Sequence, residues 1–241
     1  MEIHQIFIMS GALVLLLSAI VLFLLVKEPR IPPPSSTWTR DLRNLLNYQE
    51  MRKEKNFFKL FIAMIFPIMS EAAFMPFLLI LLQDISLEVE TMLIALPFVG
   101  AGIGIGLYLI AKYTDKIGRK KIALMCLIGC PVGQLVIAFL GGDSLWLIIG
   151  FGVMMPFYVG IWISTDSWIQ DLLPIASRGR FLGLISIGYA IGKVPGALIA
   201  GAMGAAYGTR SIFLVAGILL WCGIVFFLQV PETLKIKKEA I

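Results

Sequence analysis

Histidine and cysteine are nearly missing from this 241-residue sequence, and charge is scarce. The one histidine, His4, lies near the start of the chain. That leaves no material for a Ser-His-Asp triad, a histidine-based zinc site or an HExxH metalloprotease. Ser164 and Asp166 are close in sequence but have no base between them, so intramembrane hydrolysis lacks its equipment, and no enzyme, cofactor or metal site is expected. Cys126, Cys130 and Cys222 sit in apolar stretches without zinc-ligand spacing, which argues against both a metal knot and a disulfide framework. Charged residues make up 15% of the chain, against roughly 25% in soluble domains. Hydrophobic residues make up 59% with tyrosine counted and glycine left out. A soluble globule of this size has too little interior to hide so much apolar surface, and a disordered chain would be far more polar. With a mean hydropathy of +0.92, a polytopic membrane protein is what remains. The net charge of +5 is then a matter of topology rather than a nucleic-acid footprint.

A bilayer core about 30 Å thick calls for about 20 apolar residues at 1.5 Å rise each. Seven stretches meet this, over 5–26, 57–82, 91–111, 122–140, 145–168, 181–206 and 211–230. The first has no basic residue ahead of it and too long an apolar run for a cleavable signal, so it reads as a retained span. The predicted organisation is therefore one transmembrane helix within 1–27, a linker over 28–56, a six-helix bundle over 57–230 and a tail over 231–241. In the linker, Pro32-Pro33-Pro34 stops the first helix. An amphipathic helix is expected to follow, with Leu42, Leu45 and Leu46 on one side among basic residues, resting on an anionic inner leaflet. All 20 Lys and Arg except Arg210 and Lys193 fall on the side that holds this linker, while Asp84, Glu88, Glu90 and Asp143 fall on the other. The positive-inside rule then places the N-terminus outside, the C-terminus in the cytoplasm, and the chain in the plasma membrane.

The last six spans divide into two triplets. The first helix of each holds proline, Pro67 and Pro76 in one and Pro156 in the other. The second helix of each is striped with glycine: Gly100, Gly102, Gly104 and Gly106, then Gly188, Gly192, Gly196 and Gly204. Three spans per triplet put the second upside down relative to the first. Inverted repeats with interrupted helices at matching places mark many transporters, with the binding site near midplane. Residues four apart share a helix face, so Gly100, Gly104, Gly188, Gly192, Gly196 and Gly204 are expected to let a neighbouring backbone come close.

Two ionisable residues stand near the middle of their spans, Glu71 in the second and Lys193 in the sixth. Each is about 15–18 Å from the nearest bilayer edge along the axis, too far for a lysine stem to snorkel fully. Insertion scales charge such a residue about 2.5–3.5 kcal/mol, so both should face protein or a watery cavity. A static ion pair between them would offset the cost, and so would a shared polar chamber. Phe74, Tyr158, Trp162 and Tyr189 are candidate solute contacts around it. Gln134 reads as an interhelical hydrogen-bond donor.

Between the third and fourth spans the sequence runs Ala111-Lys112-Tyr113-Thr114-Asp115-Lys116-Ile117-Gly118-Arg119-Lys120-Lys121. This resembles the signature loop of the major facilitator superfamily, G-x-x-x-D-[RK]-x-G-R-[RK]-x. It matches at Asp115, Lys116, Gly118, Arg119 and Lys120 and departs at Ala111. Asp171 followed by Arg178-Gly179 is similar to the loop before that family's eleventh helix, and Val230-Pro231-Glu232-Thr233 to the close of the twelfth in sugar-porter-like members. The resemblance implies spans six to twelve of a twelve-span carrier: an all-α polytopic membrane protein with one extra helix and a six-helix bundle of two inverted triplets. It also implies that Glu71 faces the cavity and that Lys193 stands at the cavity or at the seam between halves.

The function implied is secondary active transport of a small solute by alternating access, with proton or cation coupling through Glu71. The partner would be a separate N-terminal half or a second copy; the alternative is a truncated or non-transporting scaffold or sensor. Asp115, Lys116, Gly118, Arg119, Lys120, Asp166, Asp171 and Arg178 are the expected cytoplasmic gate. In it Arg119 pairs with Asp171 or Asp166, and Asp115 approaches the helix N-terminus near Arg178.

Overall fold

A computed structural model describes residues 16, 55–84, 89–173 and 178–233. The first predicted span, apart from residue 16, and the amphipathic helix of the linker lie outside them. From Lys55 onward there are seven α-helices: α1 Lys55–Phe74, α2 Leu78–Asp84, α3 Val89–Ile117, α4 Arg119–Leu140, α5 Ser144–Leu172, α6 Arg178–Tyr207 and α7 Ser211–Leu228. No strand occurs among the described residues. Helices α1, α4, α5, α6 (over Phe181–Tyr207) and α7 are long and apolar enough to cross a membrane. At 29 residues α3 also has the length. The chain is thus an all-α, multi-pass membrane protein.

The second predicted span is α1 and α2 together, broken at Met75-Pro76-Phe77. Pro76 has no N–H for the ladder, and the residue before a proline is pushed away from helical angles. Pro67 is tolerated within α1. Its missing N–H leaves the carbonyl four residues back without its usual partner, and the buried helix is held on both sides by neighbours.

The helices pack in pairs that exchange under one rule. The principal contacts are α4 with α5, α1 with α7, α1 with α6, α3 with α5, α4 with α7, α6 with α7, α3 with α4, and α1 with α5. Swapping α1 for α5, α3 for α6 and α4 for α7 turns every pair into another of the set or into itself. The two triplets therefore occupy equivalent places about a pseudo-twofold relation. Helices α1 and α5 meet at its centre, α4 and α7 meet behind them, and α3 and α6 stand on opposite flanks. The core is built where these helices meet, around Phe57, Met64, Ile68, Phe74, Leu127, Ile137, Trp168 and Phe213.

Glycine decides how close some pairs come. On α6, a Cβ at Gly188 would meet Phe61, one at Gly192 would meet Ile68 and the Ile65 carbonyl, and one at Gly196 would strike the Met69 backbone. Three consecutive turns of α6 thus lie on α1. Gly204 faces Ile212 of α7. On α3 the expected face is corrected: among the described residues Gly100 and Gly104 have nothing within 4 Å, whereas Gly102 and Gly106 lie on Gly152 and Pro156 of α5. Two residues are about 200° of helix, so the two stripes point in nearly opposite directions and α5 takes the second. Helices α4 and α5 pack tightly at Gly133, where a Cβ would fall 2.5 Å from the Met154 nitrogen and 2.6 Å from the Gly150 oxygen.

Candidate functional site

Glu71 projects from α1 one turn before the helix breaks, and its backbone carbonyl accepts from the Met75 N–H at 2.9 Å. The carboxyl is half-buried, and Tyr158 on α5 interacts with it. Lys193 on α6 acts on it electrostatically. The two do not form a direct ion pair within 4.0 Å among the described residues, so they share surroundings without being locked.

An aromatic ladder connects them. The Lys193 Nζ lies 6.0 Å from the Tyr189 ring centroid. Tyr189 stacks on Trp162 at 5.6 Å, and Trp162 meets the edge of Tyr158 at 6.2 Å. Tyr158 meets Phe74 edge-on at 5.4 Å. Tyr158 and Trp162 are four apart on α5, and Tyr189 and Lys193 four apart on α6, so each pair shares a helix face. Glu71, Lys193, Tyr158, Trp162 and Tyr189 therefore converge from three helices on one wall. Phe74 differs from the expectation: it is fully buried between Tyr158 and Phe213, and it backs the wall instead of lining it. Asp166 is exposed and acts electrostatically on Tyr189. Chemically this is a half-buried acid, an exposed cation and polarisable ring faces, suited to a small solute with an apolar body and polar or charged ends.

Behind the wall, Gln134 is fully buried on α4 and donates to the Ser70 hydroxyl on α1 at 3.5 Å. Ser70 adjoins Glu71, so the bond helps to hold the turn of α1 that carries the acid.

The second cluster lies at the basic end of the bundle. The signature stretch is not a loop. Helix α3 runs through Asp115 and Lys116 to Ile117, Gly118 alone is non-helical, and α4 begins at Arg119. Gly118 turns this corner at φ 117°, a region open to glycine and costly for other residues. A Cβ there would also lie 2.5 Å from Glu232 Oε2.

The Glu232 carboxylate accepts from the Arg119 N–H at 3.2 Å and the Lys120 N–H at 3.1 Å, and so caps the positive end of α4. Lys120 returns the favour at the negative end of α7, donating to the Leu228 and Val230 carbonyls at 2.7 Å each. The Arg119 guanidinium pairs with Asp171 and donates to the Ser167 carbonyl, both on α5. Thr233 Oγ1 donates to Asp171 at 3.4 Å, and Trp168 Nε1 donates to the Pro231 carbonyl at 3.1 Å. The ends of α3, α4, α5 and α7 are thus tied together.

Of the two acids expected near Arg119, Asp171 is its partner. Five residues separate Asp166 from Asp171, which sends them to different faces of α5. Asp115 is 75% exposed and reaches Arg119 at 3.5 Å, so its described partner is the next helix turn and not a helix N-terminus. Lys116 is exposed. Arg178 opens α6, and its side chain lies outside the described residues. Sequence reading missed Trp168 and the capping role of Glu232. Their partners are 63 and 112–113 residues away, and only the Pro-Glu-Thr stretch itself hinted at Glu232.

The sequence model of the Major Facilitator Superfamily matches residues 60–240. Among curated proteins, Multidrug resistance protein MdtG of Proteus mirabilis is 29% identical over 133 residues, 54% of this chain and 33% of the relative. The Putative niacin/nicotinamide transporter NiaP of Bacillus subtilis is 24% identical over 134 residues, 56% of this chain and 33% of the relative. The class H tetracycline resistance protein of Pasteurella multocida is 25% identical over 96 residues, 40% of this chain and 24% of the relative. The matched stretches thus span a third or less of the length of these relatives.

Proposed function

The chain belongs to the major facilitator superfamily, and on that premise we propose that it is the back portion of a secondary carrier that moves a small solute by alternating access. The observation that carries this reading is the convergence of Glu71, Lys193, Tyr158, Trp162 and Tyr189 on one wall where α1, α5 and α6 meet. Two bundles rock about one site in such carriers. The opposing bundle would come from a separate front-half polypeptide or a second copy. Its natural contacts are the flanks that the bundle leaves uncovered: Phe98, Ile105 and Tyr108 on α3, and Ile187, Ile191, Val194 and Leu198 on α6. The α6 residues recur at intervals of four, three and four, a single stripe beside Lys193.

In this reading the solute lies against Tyr158, Trp162 and Tyr189, with Glu71 and Lys193 at its polar ends. Glu71 takes a proton on one side of the membrane and releases it on the other. When ionised it attracts Lys193 across the chamber, and when protonated it releases it, so the charge state biases which side is open. With the basic end in the cytoplasm, the Arg119–Asp171–Glu232–Lys120 cluster holds the inner ends of four helices as one body. Asp115, exposed at the corner, makes and breaks contact with the opposing bundle. The Pro231-Glu232-Thr233 ending is a pointer to sugar-porter-like relatives.

The test is uptake by Glu71→Gln with the front half co-expressed. The variant keeps shape and hydrogen-bonding capacity but cannot be ionised. Proton-driven accumulation should fall at least tenfold, while solute counterflow, which needs no net proton movement, persists. Undiminished proton-driven accumulation would end the coupling proposal.

A further inference from the structure

Helices α3 and α4 contact one another far less than each contacts α5. Between them, next to the Gly118 corner, they leave a wholly apolar groove of about 240 Å³. Ile110 and Ile122 are buried and form its floor, while the exposed Leu109, Tyr113, Ile117 and Met125 form its walls. The groove follows α3 from Leu109 to Ile117, about 12 Å of helix. It is smaller than the roughly 300–1,000 Å³ of drug-sized sites, and a narrow flexible chain suits it better than a compact ring.

Three lysines stand on the same helix turns as the groove's walls. Lys112 and Lys116 are one turn apart on α3, and Lys116 is three residues from Tyr113. Lys121 is four residues before Met125 on α4, on the same helix face. All three are exposed. Among the described residues none has a carboxylate within 4.0 Å, and Lys112 has only the Tyr108 hydroxyl at 3.4 Å and the Tyr108 ring at 5.3 Å. Of the acids on this corner, Asp115 is turned to Arg119 and Glu232 caps the first amides of α4. Unpaired cations at the end of an apolar groove, at the membrane boundary of a multi-pass protein, complement an anion that carries a long apolar tail.

We propose that this groove is a binding site for an anionic phospholipid. One acyl chain lies between α3 and α4, and the phosphate sits among Lys112, Lys116 and Lys121. Tyr113, in the wall of the groove, offers an amphipathic ring able to contact both regions of the lipid. Each lysine near an anionic lipid surface contributes roughly fivefold in affinity, so three give a strong preference for anionic over zwitterionic headgroups.

The test uses the full chain in detergent, offered equimolar phosphatidylglycerol and phosphatidylcholine with identical acyl chains. Retained lipid is counted by native mass spectrometry. The wild type should keep phosphatidylglycerol at least tenfold over phosphatidylcholine. K112Q/K116Q/K121Q should bring the ratio within about twofold with helix content unchanged by circular dichroism. M125W fills the groove and leaves the lysines in place, and it should lower retention of both lipids. K55Q/K59Q removes two exposed lysines elsewhere and should leave most of the preference. Glycerophosphoglycerol, the headgroup without chains, should not displace the lipid. A wild type without preference would overturn the proposal. So would an equal loss in K55Q/K59Q, full retention in M125W, or displacement by the bare headgroup.

Discussion

Glu232 joins the stretch after α7 to the start of α4, and its removal has a size that can be worked out. Its carboxylate satisfies two N–H groups at the first turn of α4 and a third at Thr233, at 3.0–3.2 Å. Losing a helix cap costs about 1 kcal/mol, within a range of about 0.5–2. Losing a negative charge at the positive end of the helix adds about 0.3–1 kcal/mol. Glu232→Ala should therefore destabilise by about 2 kcal/mol, which for a chain of this size lowers Tm by about 4–8 °C. Glu232→Gln keeps one acceptor oxygen but loses the charge and the second acceptor, so its shift should lie between the wild type and Glu232→Ala.

Gly118 supplies a second arm of the same test. Gly118→Ala puts a residue at φ 117° and a methyl group against the carboxylate. The backbone part, about 1–2 kcal/mol, persists in any background. The steric part vanishes once Glu232 is alanine. A double-mutant cycle should then show Gly118→Ala costing about 1 kcal/mol less in Glu232→Ala than in the wild type. Thermal unfolding of the purified protein in detergent reads all four variants. Additive shifts, or a Glu232→Ala variant within 1 °C of the wild type, would refute the account of the corner.

Three further outcomes follow from the packing. Gly133→Ala should destabilise by about 2 kcal/mol because its methyl meets the α5 backbone, whereas Gly100→Ala, with open space around it, should be neutral or slightly stabilising. Thermal unfolding of the two side by side checks the assignment of faces. Lys120→Met keeps the stem and deletes the charge that reaches the Leu228 and Val230 carbonyls, and should cost about 1 kcal/mol by the same measurement. On the proposed transport reading, Lys193→Gln should raise the KM for an anionic solute or a solute with an anionic end at least fivefold and leave Tm unchanged, since the lysine is exposed and forms no ion pair with the described residues; an unchanged KM would remove it from the site.

The spans were legible because bilayer thickness imposes a length on apolar runs, and the helices differ from the predicted ranges mainly by running past the hydrophobic stretch at their ends. That excess is informative at Asp115 and Lys116, where charge suggested a loop and the backbone stays helical to Ile117. Glu71 and Lys193 stood out in the sequence because ionised groups are costly at midplane. The rings around them were readable as helix-face neighbours, but burial of Phe74 behind Tyr158 depends on Phe213 of a different triplet. Glycine on α3 shows where sequence runs out. Gly100 with Gly104 and Gly102 with Gly106 have the same spacing, and only the position of Pro156 distinguishes the face that packs. Glu232 and Trp168 act through partners more than 60 residues away, which no local pattern encodes.

The turn between α3 and α4 is a single residue, and this has a mechanical consequence. A long connection would absorb a tilt of one helix as slack. Here a displacement of the flank helix is delivered straight into the first turn of its neighbour, whose amides are already gripped by a carboxylate from beyond α7. A tilt of α3 would therefore act on α4 as leverage, with no compliant joint between them to dissipate it.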